Sequence, residues 1–171
     1  MNSDLKTKIQ NTLTGRVVIV GVGNPDLGDD GFGVRLAEEL DRSGVPGVIV
    51  AGTTPERWVG RILDGEAKHV VLLDAVETQG VPGSAMFVGA AEMKSLYPQI
   101  STHKMALSSL ARLVETMSGA RVWLLGVKPQ SLKGNELSET VKTSLEALKT
   151  ILVDCLAEPG STVQEKECAV P

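Results

Sequence analysis

The sequence predicts an α/β fold with three layers, α/β/α, around a mainly parallel, twisted sheet of about five strands. Short, wholly apolar runs recur along the chain at Val17–Val20, Val48–Val50, Val70–Leu73 and Val122–Leu125. Such unbroken runs, rather than alternating ones, suit strands buried on both faces. Segments with helical spacing of apolar residues lie between them, the pattern of a parallel sheet with crossover helices. At 171 residues the chain is long enough for one domain with a substantial core and too short for two ordinary ones.

The first run opens VVIVGVGNPDLGDDGFGVRLAEEL, Val17 to Leu40, which reads as strand, glycine turn and helix. A helix is expected from Asp29 to Arg42, with Phe32, Leu36, Ala37 and Leu40 inward and Arg35, Glu38, Glu39 and Arg42 outward. Ser43, Gly44 and Pro46 end it, and Val48–Val50 form a second short strand. Pro55 opens a helix through about Gly65 with Trp58, Val59, Ile62 and Leu63 as its apolar stripe. Val70–Leu73 form the third strand, closed by Asp74. A turn at Gln79–Gly83 leads into Ala85–Val88, expected as an edge strand beside the third. Ala90–Tyr97 is short and helical or irregular. A helix from Lys104 to Met117 then presents Leu107, Leu110, Ala111, Val114 and Met117 on one face. Val122–Leu125 make the last strand, and Ser138 to Leu156 the last helix. The domain is expected over residues 14–157, after a polar lead (1–13) and before a loose tail (158–171).

Composition narrows the function. The formal net charge is −4, with acids and bases interspersed, so the chain carries no electrostatic footprint for nucleic acid. Aromatic residues at 3% are too few for base-stacking platforms. No apolar run reaches membrane-spanning length and Met1–Leu13 lacks a signal-peptide centre, so the expected location is the cytoplasm, without membrane insertion. Cys155 and Cys168 sit in no metal or redox spacing and read as incidental thiols.

The glycine loop after the first strand lies where open α/β folds place their sites. Gly21 and Gly23 begin a dinucleotide fingerprint, but Asp26 occupies the next glycine position and the second strand ends without the acid that would hold a ribose. Asp29 and Asp30 at the helix start would also repel a pyrophosphate. Asp29 reads as the helix cap. Asp30 needs a cation or proton to offset its neighbour's charge. Asp74, at the carboxyl end of an apolar strand, is either a turn aspartate or a second site carboxylate. His103 stands at a helix start, which favours the neutral imidazole that ligates metal, whereas His69 at a strand start reads as structural. Two carboxylates and an imidazole, Asp30, Asp74 and His103, make a plausible divalent-metal set if the fold joins them.

These motifs resemble those of the hydrogenase maturation endopeptidases, which trim the C-terminal extension of the nickel-iron hydrogenase large-subunit precursor. GVGNPDLGDDGFG matches the family's first loop, VVLLDAVE its second aspartate motif and STHKMAL its histidine motif, over a resemblance spanning Val17 to about Leu156. GTTPER at Gly52–Arg57 and the Thr102–His103 pair look closer to the branch serving the hydrogenase of formate hydrogenlyase. Pro25 and Asp26 depart from the residues usual in that loop. The resemblance implies Asp30, Asp74 and His103 as both catalytic and metal-contacting residues. It also implies nickel supplied by the precursor rather than by the enzyme, no organic cofactor, and a monomer that meets its precursor transiently. A pepsin-like pair of aspartates is a less favoured variant, since both would have to share a proton. The rival from another class is a non-catalytic nucleotide- or metal-binding module on the same loop, which tight dinucleotide binding would reveal.

Overall fold

The computed structural model describes residues 3–96 and 102–157, with the backbone alone for 102–106. The expected tail 158–171, including Cys168, lies outside the described residues. The elements are α1 (Ser3–Thr12), β1 (Val17–Val22), α2 (Phe32–Arg42), β2 (Val48–Gly52), α3 (Val59–Asp64), β3 (His69–Ala75), β4 (Ala85–Gly89), α4 (Ala90–Leu96), α5 (Thr102–Ser118), β5 (Arg121–Val127) and α6 (Glu139–Leu156). Five strands form one sheet in the order β2-β1-β3-β5-β4, with β2, β1, β3 and β5 parallel and β4 antiparallel to β5.

The apolar runs account for the three layers. Successive side chains of a strand point to opposite faces. Ile19, Val71 and Leu73 therefore join a core with Phe32, Leu36 and Leu40 of α2 and Leu148 and Leu152 of α6. Val18, Val20, Val70 and Leu72 join a second core with Ile62 of α3 and Leu107, Leu110 and Val114 of α5, whereas Met117, expected on that face, is 62% exposed in the last turn of α5 and does not join it. A strand with a core on each face has no position for a polar alternate, which is why these segments read as continuous apolar runs.

The strand order reverses beside β1: the chain moves outward to β2, then returns to β3 on the other side. Open α/β sheets leave a crevice at such a switch, beyond the carboxyl ends of the strands. Helix α2 is seated deeply over this point. A Cβ on Gly33 would overlap the carbonyl oxygens of Leu73 and Val22, and one on Gly21 would come within 2.5 Å of the Ala37 Cβ. Glycine at both positions lets the helix touch the strand ends, and so fixes the loop between Val22 and Phe32 over the crevice.

Three further expectations need correction. The edge strand Ala85–Val88 exists as β4, but its neighbour is β5, with Phe87 opposite Leu125. The slot beside β3 is filled by β5 over seven residues, and the half-exposed β4 suits an outer position. The polar lead is part of the folded unit: α1 places Leu5 and Ile9 four residues apart, Leu13 just beyond its end joins the same core, and Ile9 is fully buried there. The Lys8 Nζ also donates to the Phe87 carbonyl at 2.9 Å, tying α1 to the edge strand. Finally, α2 begins at Phe32, three residues later than expected, after a 3₁₀ turn at Gly28–Gly31.

His69 is structural, as its position suggested. It is 5% exposed at the amino end of β3, and its Nδ1 accepts a hydrogen bond from Trp123 Nε1 at 3.1 Å. Its buried Nε2 has no hydrogen-bond partner among the described residues. Burial, with the Lys68 and Arg121 cations nearby, holds its pKa below the ordinary 6.5. The unfolded chain then takes up the proton first, so this contribution to stability is complete above about pH 6.5 and declines as the pH falls below it.

Two measurements check these points. Gly33→Ala should lower stability in chemical denaturation by about 1–3 kcal/mol through overpacking, whereas Gly60→Ala in α3, where a Cβ meets nothing within 4 Å, should be neutral or stabilising by about 0.5–1 kcal/mol. His69→Gln should flatten the fall in melting temperature between about pH 7 and pH 5; an unchanged slope would remove His69 as its cause.

Candidate active site

The loop that follows β1 is folded by its own polar groups. Gly23 adopts φ +126°, and a Cβ there would overlap the Asp30 carbonyl oxygen. The Asn24 side-chain oxygen accepts from Asp26 N–H at 2.9 Å, an Asx turn that reverses the chain. The Asn24 N–H in turn donates to Asp30 Oδ2 at 2.8 Å. Asn24 thus shapes the loop with its side chain and orients the Asp30 carboxylate with its backbone.

Asp74 arrives from the other side of the switch. It lies within β3 opposite Gly126 of β5, rather than just beyond the strand end, and is 5% exposed. Asp30 and Asp74 line one cavity of about 360 Å³. Its walls come from every parallel strand end: Thr53, Pro55 and Glu56 after β2, Glu77 after β3, and Pro129 and Leu132 after β5, with Leu107 of α5 closing one side. Glu77 pairs with Lys128 Nζ at 3.4 Å, and the same ammonium donates to the Thr78 carbonyl at 2.6 Å.

His103 lies in the first turn of α5, and its side chain is outside the described residues. Leu107 lines the cavity one helical turn further along, so position 103 belongs to the same helix face. Among the described residues no group of three or more His, Cys, Asp and Glu side chains is gathered to hold a metal ion. The described part of the expected donor set is therefore the carboxylate pair, whose hard oxygen donors accept a divalent cation but do not favour nickel over other metals.

Asp29 departs most from the sequence reading. It caps no helix: the residue preceding α2 is Gly31, without a side-chain cap. It is fully buried, and its carboxylate accepts from Gln130 N–H (2.8 Å), Ser131 N–H (2.9 Å), Ser138 N–H (2.7 Å) and the Ser138 hydroxyl (2.9 Å). Burial alone would push its pKa up, but the backbone bonds from Ser131, Ser138 and Gln130, with the Ser138 hydroxyl, outweigh it and hold the group below the ordinary carboxylate value. The partners lie more than one hundred residues away in sequence, so no local pattern announces them. Glu56, Glu77, Leu27 and Leu132 were likewise not singled out, since each is an ordinary loop residue until the strand ends are assembled.

Comparison with known proteins agrees with this architecture. A family model described as HycI, hydrogenase maturation protease, matches residues 34–155. The hydrogenase 2 maturation protease of Escherichia coli is 27% identical over 154 residues, covering 85% of this chain and 93% of the relative. The crystal structure of a [NiFe] hydrogenase maturation protease, HycI from Thermococcus kodakarensis, superposes with a TM-score of 0.78 at 31% identity, covering 87% of this chain and 98% of that one. The hydrogenase maturating endopeptidase HybD from E. coli superposes with a TM-score of 0.69 at 26% identity, covering 85% and 94%. With the five-stranded α/β fold and the match over most of its length, the chain belongs to the hydrogenase maturation protease family and is a hydrolase of the endopeptidase class.

Proposed function

We propose that this endopeptidase removes the C-terminal extension of a nickel-iron hydrogenase large-subunit precursor after nickel has been inserted, using Asp30, Asp74 and His103 to recognise the nickel carried by that substrate. The observation that carries this reading is the meeting of Asp30 and Asp74 in one cavity at the sheet's switch point. The names of the relatives support the substrate class.

The donor chemistry suits a metal brought in by the substrate. Two carboxylates and one imidazole, without thiolate, are modest partners for nickel, whereas cysteine ligands in the immature hydrogenase hold it more firmly. Asp30, oriented by the Asn24 N–H, and the buried Asp74 complete the coordination from the enzyme side only when the precursor is loaded. The metal then polarises the scissile carbonyl or the attacking water, and one of the two carboxylates takes the water's proton as general base. The mature end of the precursor and the free extension are the two products.

Asp30→Asn, Asp74→Asn and His103→Ala should each lower precursor processing by at least about 10²-fold. Circular dichroism should show the fold retained in each. Processing is read as the mass of the large subunit, and full activity in any one variant would remove that residue from the site.

A further inference from the structure

Residues 128–138 form neither helix nor strand, yet they supply Pro129 and Leu132 to the cavity wall. What fixes them is the loop after β1. Gly28 N–H donates to the Gly134 carbonyl at 2.6 Å and Asp29 N–H to the Ser131 carbonyl at 2.9 Å. The Asp29 carboxylate gathers four more bonds from Gln130, Ser131 and Ser138. A Cβ at Gly28 would approach the Ser131 and Lys133 carbonyl oxygens to 2.7 and 2.8 Å, so the two segments touch backbone to backbone.

Two leucines that the core does not use lie on the segments this clasp joins, and both line the same cavity. Leu27, just before the clasp on one segment, is 48% exposed, and Leu132, within it on the other, is 54% exposed. Both line the cavity that holds Asp30 and Asp74. Among the described residues, the other exposed large hydrophobic side chains, Val50, Val81, Leu113 and Met117, do not line this cavity. Exposed apolar side chains on the wall of a largely apolar cleft with a few carboxylates mark a surface that is covered when its ligand enters.

We propose that Leu27 and Leu132 form an apolar clamp for the precursor, gripping an apolar side chain next to the bond to be cut, and that Asp29 is the positioning residue that holds the clamp closed. The proposal rests on the endopeptidase reading and deepens it: the carboxylates act on the bond, and the clamp sets which chain segment lies beside them. Asp29 acts through Leu132, so the two form one unit in substrate binding.

The test is steady-state cleavage of a nickel-loaded large-subunit precursor by Leu27→Ser, Leu132→Ser, Asp29→Asn and the double variant Asp29→Asn/Leu132→Ser. Each single change should raise KM by about tenfold while kcat stays within about twofold, the signature of lost substrate binding rather than lost chemistry. In the Asp29→Asn background, Leu132→Ser should add less than about twofold, because residues acting as a unit are not additive. Amide exchange at Gln130, Ser131 and Ser138 should quicken in Asp29→Asn even without substrate. Unchanged KM in both leucine variants, or fully additive losses in the double variant, would overturn the clamp while leaving the endopeptidase standing. A wild-type protein that leaves the precursor uncut would instead overturn the endopeptidase reading, and the clamp with it.

Discussion

At Gly33, helix α2 meets the ends of β1 and β3 backbone to backbone, and the geometry of the site follows from that contact. Gly33 lies against the carbonyl oxygens of Leu73 and Val22, the residues next to Asp74 on β3 and Gly23 on the first loop. The helix is therefore held at a fixed height over the two strand ends. Because β1 and β3 are adjacent and parallel, Gly21 opposite Leu73, the loop leaving one strand is carried over the end of the other. Asp30 and Asp74 share a cavity for this reason, although they belong to different motifs.

The adjacent carboxylates Asp29 and Asp30 divide their roles by the partners they find. Two neighbouring negative charges repel unless the surroundings compensate one of them. Asp29 is compensated from within the protein, by three backbone N–H groups and a hydroxyl from residues 130–138. Asp30 accepts from the Asn24 N–H and lines the cavity. One acid fastens the loops together and the other is presented to what enters.

Much of the fold was legible because it follows from burial on both faces. The runs at Val17–Val20, Val70–Leu73 and Val122–Leu125 admit little except a central parallel strand, and the inward face of α2 lies at Phe32, Leu36, Ala37 and Leu40 as its spacing required. The stripe Leu5, Ile9, Leu13 was present as well, but three apolar residues in a charged segment are a weak signal until a core is there to receive them. The partner of β4 was not legible, since a short, half-exposed strand has no pattern that selects its neighbour. Of the candidate site, Asp30 and Asp74 were marked by their place after apolar strands. Asp29 was misread because a helix cap and a long-range clasp look alike in sequence; its partners differ only in being distant.

In the proposed function, hydrolysis waits for the metal in the substrate. The most direct measurement is the intact mass of a hydrogenase large-subunit precursor after incubation with this protein, with and without prior nickel loading. The nickel-loaded precursor alone should lose a C-terminal peptide. Equal cleavage of both forms would contradict metal recognition, and survival of both intact would contradict the assignment of this precursor as substrate.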